Sequence, residues 1–174
     1  MRWICLICFS YFFGATSLLP LVGGQEGAPK TINKKVVKDD LVMQASMPDT
    51  FIAGSAMHVK IRVDSNSKDD IRYFTRTKYL DYDLELSDYK GKSVPLTRFG
   101  KIAYGDYRTA GGSGRIPPLP AGEHIEVTLN IARVFDLTEI GDYTLSISRE
   151  FWLPNRRLAL KITLIKFKVV EEPR

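Results

Sequence analysis

Apolar and polar side chains alternate with a period of two through most of the chain after residue 40. The clearest run has an apolar residue at every second position, namely Met57, Val59, Ile61 and Val63. The same alternation recurs over residues 82–86, 125–131 and 143–148. Because successive side chains of a strand point to opposite faces, the pattern predicts strands with one face buried and the other in water. Helical periodicity is nearly absent, so an all-β fold is expected.

Turn-forming residues and proline divide these strands. The polar run 64–70 ends one strand, residues 71–77 predict the next, and Lys90-Gly91-Lys92 predicts a tight turn. Pro95 has no N–H to donate to a neighbouring strand, so residues 94–96 are expected at the edge of a sheet.

The layout of strands and turns predicts the fold class. About seven to nine short strands, with turn signals roughly every 8–12 residues, indicate a single antiparallel β-sandwich over residues 40–170. Apolar residues of its last strand change parity at Leu164-Ile165, which predicts a β-bulge or a twist near these residues. Residues 25–39 lack sustained periodicity and are expected to form a flexible leader.

The first 24 residues have the order of a secretory signal peptide. Arg2 precedes an uncharged, mostly apolar run from Trp3 to Gly24 that contains Pro20 and ends in small residues, so cleavage is expected before Gln25. An uncleaved membrane anchor is the alternative, because about 20 apolar residues can also span a bilayer. The mature protein is accordingly expected to be secreted or periplasmic, and to meet the membrane only if this segment is retained.

Cysteine and charge narrow the classes of protein further. Cys5 and Cys8 both lie in the export segment, so the mature domain is expected to fold without a disulfide. The formal charge of +5 becomes +4 after loss of residues 1–24, with 24 Lys and Arg against 20 Asp and Glu. These cations are scattered along the sequence, so nucleic acid is not expected as a partner.

One segment resembles a known family. Residues 120–123 (Pro-Ala-Gly-Glu), the strand from Ile125 and the segment 135–145 are similar to a pattern in immunoglobulin-like domains of exported bacterial proteins. These include domains beside secreted peptidases and domains similar to the intracellular proteinase inhibitor family of bacilli. The resemblance implies an immunoglobulin-like or fibronectin III-like sandwich in which Tyr143 forms a tyrosine corner, its hydroxyl bonded to backbone a few residues upstream.

The longest irregular connection is the candidate contact surface. Glycine and proline dominate residues 100–122, and long loops of this kind carry function more often than short ones. We expect the loop 98–118 and its tyrosines to contact a partner. The side chains expected to do so are Phe99, Tyr104, Tyr107, Arg108 and Arg115.

Other groups of residues favour structural roles over chemistry. Four oxygen donors in one loop offer a weak calcium site, but turn formation explains them better because the spacing is not that of an EF-hand. These donors are Asp64, Asn66, Asp69 and Asp70. Asp81, Asp83 and Glu85 line one strand face and could supply a general acid and base as in glycosidases, but exposed ion pairs with Lys60, Arg62 or Arg72 are the simpler expectation.

The leading hypothesis is therefore a noncatalytic binding or structural module that needs no cofactor. Its expected partner is an unidentified exported or envelope protein. An inhibitor of exported proteases is the first alternative, because a long exposed loop can enter an active site. A carbohydrate-binding module and, last, a glycosidase-like enzyme complete the alternatives.

Overall fold

The computed structural model describes residues 29–106, 114–153 and 156–173. These residues are mostly in strands, which confirms the all-β prediction. The strands among them are β1 (Thr31–Lys38), β2 (Leu41–Pro48), β3 (Thr50–Ile52), β4 (His58–Ser65), β5 (Ile71–Arg72), β6 (Asp83–Asp88), β7 (Pro118–Leu119), β8 (His124–Asn130), β9 (Gly141–Leu153) and β10 (Arg156–Val170). Short helical segments are α1 (Arg98–Lys101), a π-helical turn (Ile102–Asp106) and a 3-10 turn (Ile131–Arg133).

Two four-stranded sheets carry most of the fold. The first sheet has the order β1-β2-β4-β8 and the second has the order β3-β10-β9-β6. All neighbours in these sheets are antiparallel except β3, which runs parallel to β10. β5 and β7 form a separate antiparallel ribbon. The predicted antiparallel arrangement is therefore correct for every pair except β3 and β10.

The inward faces of both sheets share one hydrophobic core. Val59, Ile61 and Val63 of β4 are completely buried, as their alternation predicts, and so are Leu145 and Ile147 of β9. Full burial of an aliphatic side chain of this size contributes about 1.5–3 kcal/mol. The core of both sheets, and not a disulfide, holds the described residues together, since both cysteines lie outside them.

The prediction of a flexible leader over residues 25–39 is wrong for its second half. Residues 31–38 form β1, which pairs with β2 along its whole length. Ile32 and Val36 lie four residues apart and are the half-buried positions that pack on the core. An edge strand with only two anchoring side chains has too little alternation to be recognised, and β2 was not predicted either.

The structure differs from the prediction at two places between Ile71 and the start of β8. Only Ile71–Arg72 of the predicted strand 71–77 forms a regular pair, followed by an isolated bridge between Thr75 and Arg115. Residues 94–96 do not form an edge strand: Leu96 makes an isolated bridge with Phe135, and Pro95 cannot donate to a ladder. α1 follows, and the side chain of Thr97 caps its first turn by accepting from the Gly100 N–H.

The bulge predicted at Leu164-Ile165 is present. The pairing of β10 with β9 shifts register between Ile162 and Ile165, and Leu164 has a φ of 58°. Its side chain is 61% exposed, so the strained backbone is not offset by burial.

We expect Leu164→Gly to raise the free energy of unfolding by up to about 1 kcal/mol. The left-handed conformation costs a non-glycine residue roughly 1–2 kcal/mol, and the greater backbone entropy of glycine takes back part of that gain. Urea denaturation measures the change. Thr163→Gly is the matched control, because Thr163 has no positive φ and its replacement should destabilise; equal effects at both positions would contradict the account.

Among the described residues, no helix is both long and apolar enough to cross a membrane.

Candidate basic groove on the first sheet

The outer face of the first sheet is a grid of polar side chains set by the strand register. One cross-strand row runs from Lys35 through Gln44 and Arg62 to Glu126. The next row runs from Asn33 through Ser46 and Lys60 to Thr128. Neighbouring strands lie about 4.8 Å apart, so these side chains converge although their positions are far apart in sequence.

Part of this grid surrounds a cavity of about 360 Å³, which we call the basic groove. Its lining consists of Asn33, Lys34, Lys35, Gln44, Ala45, Ser46, Lys60, Arg62 and Glu126. Four of these side chains are cationic and one is a carboxylate, so the lining carries a formal charge of +3. The amide and hydroxyl groups between the cations add neutral hydrogen-bonding capacity.

Two of the cations are held by carboxylates of the same face. Lys60 Nζ lies 3.0 Å from Glu126 Oε1, with both side chains largely in water. Arg62 Nε and Nη2 each lie 2.7 Å from Oδ1 of Asp64, which is just outside the groove. Exposed pairs of this kind contribute about 0–1 kcal/mol, so they can open to admit an anionic ligand at little cost.

Lys35 lies on β1 opposite Gln44, on the outer face and at the edge of the grid. Lys34 also borders the groove, but it pairs with Ala45 and has the parity of Ile32 and Val36, so its side chain leaves β1 on the opposite face. Among the described residues no ion pair engages Lys35, and its exposed side chain supplies the uncompensated positive charge of the outer face.

Two of the aromatic residues predicted to contact a partner, Phe99 and Tyr104, have packing partners within the domain. Phe99 on α1 lies between the Arg133 guanidinium, 4.1 Å from the ring centre, and the ring of Tyr79 at 5.1 Å. Tyr104 donates a hydrogen bond from its hydroxyl to the Tyr82 carbonyl at 3.1 Å. Burial raises the pKa of Tyr104 well above its ordinary value. Phe99 and Tyr104 therefore pack the described start of the loop 98–118 against the rest of the domain.

Of the other three predicted contact residues, Arg115 alone lies in the described part of the chain. Arg115 is exposed, and its backbone pairs with that of Thr75. Tyr107 and Arg108 lie outside the described residues, as do the glycines at 111 and 112. Gly114 is held against the Phe74 ring, where a Cβ would come within 2.2 Å.

The residues weighed as a weak calcium site have local partners. Asp64 accepts from Arg62, as described above, and Asp70 Oδ1 lies 3.4 Å from the Ala121 N–H. The Asp69 N–H donates to Ser67 Oγ at 3.1 Å, which is the turn bonding expected of this loop. The Asn66 N–H bonds the Asp40 carbonyl at 2.6 Å. Across the part of the chain that the structure describes, no three His, Cys, Asp or Glu residues group as metal ligands.

The two histidines lie at opposite ends of the β4–β8 pair. His58 is opposite Asn130, and His124 is opposite Asp64. Both side chains are exposed, and the six-residue offset along the strand pair separates them too far to act together.

The carboxylates considered for catalysis have distinct environments. Asp81 is 8% exposed; it accepts from the Thr75 hydroxyl and, at 2.7 Å, from the Arg76 N–H. Glu85 is exposed and pairs with Lys161 at 2.9 Å, so an exposed ion pair does form, but with a different partner from those predicted. Asp83 lies with Asp81 and Glu150 around a cavity of about 250 Å³.

Beside Asp81 the structure buries Arg149, a residue that the sequence analysis missed. Its Nη1 donates to the Tyr82 hydroxyl at 2.8 Å, and its Nη2 lies 3.6 Å from Asp81 Oδ2. The guanidinium carbon lies 4.8–5.1 Å from the ring centres of Tyr82, Phe151 and Tyr73. Burial raises the pKa of Tyr82, and the neighbouring Arg149 cation opposes that rise. Arg149 is thus a buried cation surrounded by three aromatic rings, and it links β9 to the segment that contains Tyr73, Asp81 and Tyr82.

The sequence contains a signal for the buried Arg149 and a signal for part of the basic groove. Arg149 has the same parity as Tyr143, Leu145 and Ile147, so alternation alone assigns it to the buried face of β9. The parity of β4 likewise sets Lys60 and Arg62 on the outer face. The convergence of these cations with β1 depends on the register, which the sequence does not give.

Comparison with known proteins provides no family. No family model and no curated protein matches the chain. Among solved structures, the chain is similar to a family 123 glycoside hydrolase from Clostridium perfringens, at 11% sequence identity and a TM-score of 0.40. The similarity covers 71% of this chain and 22% of the hydrolase chain.

Proposed function

We propose that this protein is an exported, noncatalytic binding module whose recognition surface is the basic groove. The observation that carries the proposal is the cavity of about 360 Å³ at which the outward cations Lys35, Lys60 and Arg62 and several neutral polar groups converge on a solvated sheet face. No step of chemistry is needed from such a lining, whereas recognition of a complementary acidic surface follows directly from it. Export is proposed from residues 1–24, which lie outside the described part of the chain.

We further propose that the scaffold is an immunoglobulin-like sandwich. Such domains place strands A, B and E in one sheet and C, F and G in the other. The orders β2-β4-β8 and β6-β9-β10 agree with these adjacencies. Tyr143 lies near the start of β9, and its hydroxyl donates to the carbonyl of Glu139, four residues upstream, at 2.8 Å. This is the hydrogen bond of a tyrosine corner. Burial, with Glu139 and other nearby carboxylates, raises the pKa of Tyr143.

This proposal moves the recognition surface away from the loop 98–118. Phe99 and Tyr104 already have packing partners, whereas Lys35, Lys60 and Arg62 lie in the outward rows of the first sheet. Inhibition of exported proteases through that loop stays a prediction, since residues 107–113 lie outside the described part of the chain.

The test is binding of the purified protein to an array of immobilised glycans and proteins, read for the wild type and three variants. Lys35→Gln/Arg62→Gln removes two outward cations from the groove, and Arg115→Ala removes the described cation of the loop. Lys90→Gln/Lys166→Gln removes two exposed cations elsewhere and is the matched control.

We expect the array ligands of the wild type to lose about tenfold in affinity with the groove variant, because each exposed charge contributes up to about 1 kcal/mol. The control and Arg115→Ala should bind as the wild type does. Ligands that are lost with Arg115→Ala but kept by the groove variant would contradict the proposal, and so would chemical conversion of any bound ligand.

A further inference from the structure

We infer that the ligand of the basic groove is an acidic polysaccharide, one that bears carboxylate or sulfate groups. This inference rests on the proposed function and deepens it by naming the class of ligand. It follows from which side chains line the groove, which kind is missing from that lining, and how the cations are held.

The lining combines cations with neutral hydrogen-bonding groups at closely spaced positions. Lys35 and Arg62 lie in one cross-strand row two strands apart, with the amide of Gln44 between them. The interval between their backbones is about 10 Å at ordinary strand spacing. Cations at such an interval suit a chain that carries an anion at each repeat, while Gln44 and Ser46 can bond the hydroxyls between.

No aromatic residue is among those that line the groove. Protein–protein interfaces centre on buried Trp, Tyr and Arg anchors in desolvated pockets, and single-stranded nucleic acids stack their bases on aromatic rings. Neither requirement is met by this lining. Acidic polysaccharides need neither, because exposed basic patches attract them by charge.

Glu126 gives the inference a consequence that a general loss of structure cannot imitate. Its carboxylate holds Lys60 at 3.0 Å and is the one negative group of the lining. An acidic ligand has to displace Glu126 from Lys60 and is repelled by it. Removing this charge should therefore strengthen binding.

The experiment measures affinity for immobilised heparin, which carries sulfates, and for polygalacturonate, which carries carboxylates alone. Dextran is the neutral glycan, and poly-glutamate and single-stranded DNA represent the other acidic macromolecules. The proteins compared are the wild type, Glu126→Gln, Lys35→Gln/Arg62→Gln, and the Lys90→Gln/Lys166→Gln control.

We expect binding to heparin, polygalacturonate or both that weakens as salt is raised, with no binding to dextran. Glu126→Gln should bind about two- to fivefold more tightly and Lys35→Gln/Arg62→Gln about tenfold more weakly, with the control unchanged. Tighter binding to heparin would identify sulfate as the recognised anion, and tighter binding to polygalacturonate would identify carboxylate.

Three results would overturn the inference: binding to neither polysaccharide, affinities that the groove variants do not alter, or tighter binding to poly-glutamate or DNA. Groove-dependent binding to poly-glutamate alone would remove the polysaccharide while leaving the binding module intact. Loss of groove dependence for every ligand would remove the proposed function as well.

Discussion

Asp81→Asn should lower the free energy of unfolding by about 3–5 kcal/mol, the cost of leaving one charge of a buried pair without its partner. The Arg149 side chain is 2% exposed and the Asp81 side chain 8%, so water cannot replace the lost carboxylate charge. Asparagine keeps the size of the side chain and an oxygen for the Thr75 and Arg76 donors. The loss therefore reports the charge, and urea denaturation measures it.

Two further variants separate this effect from simple disturbance of the region. Glu85→Gln removes an exposed partner of Lys161 and should cost about 1 kcal/mol or less. Arg149→Met added to Asp81→Asn should recover part of the loss, because an apolar side chain among three rings no longer needs a counter-charge. A loss below about 1 kcal/mol for Asp81→Asn, or no recovery in the double variant, would show that the pair does not support the fold as described.

Gly100→Ala should cost about 3 kcal/mol, near the upper end for overpacked sites. A Cβ at this position would lie 2.2 Å from the Val134 carbonyl oxygen and 3.2 Å from the Leu96 Cβ. The carbonyl cannot move away freely, because it also accepts from the Thr97 N–H at 2.9 Å. The substitution should thus separate α1 from the 3-10 turn, and the shift in thermal midpoint and in urea midpoint measures the cost.

Gly105→Ala is the matched control for Gly100→Ala. It lies in the adjacent π-helical turn, has no positive φ, and an added Cβ there meets no atom within 4 Å. Its effect should be small or stabilising by a few tenths of a kcal/mol to about 1 kcal/mol. Equal losses at the two glycines would mean that this connection tolerates no side chain in general, and would contradict a specific contact with Val134.

Alternation predicted those strands whose inward residues recur without interruption. β4, β8 and β9 each bury one face, and each lies where the pattern places it. The bulge at Leu164 was also predictable, because a change of parity has no other simple cause in a strand.

Elements held by register or by single contacts were not predictable in the same way. β1 has only Ile32 and Val36 on the core, and α1 is a single turn held by the Thr97 cap and by close packing of Gly100. The glycine content of this region indicates a loop, whereas Gly100 lies in α1 and is required for the tight contact of that helix with Val134. Glycine composition does not distinguish these two uses.

The candidate site likewise has features that alternation predicts and features that depend on strand register. The outward parity of Lys60 and Arg62 is readable from β4, but their approach to Lys35 depends on the pairing of three strands. Tyrosines near the long connection suggest a contact surface by composition, yet Tyr79 and Tyr82 are buried and Tyr104 is bonded to Tyr82. A residue type that serves both packing and recognition is assigned only when its neighbours are known.

The most direct test of the recognition surface is amide chemical-shift mapping of the protein titrated with heparin oligosaccharides. The account predicts that the shifted signals concentrate on the groove positions of β1, β2 and β4, including Lys35, Gln44, Ser46 and Arg62, and that α1 is unaffected. Shifts that concentrate on Phe99–Asp106 and on Arg115 instead would contradict it and return recognition to the long connection.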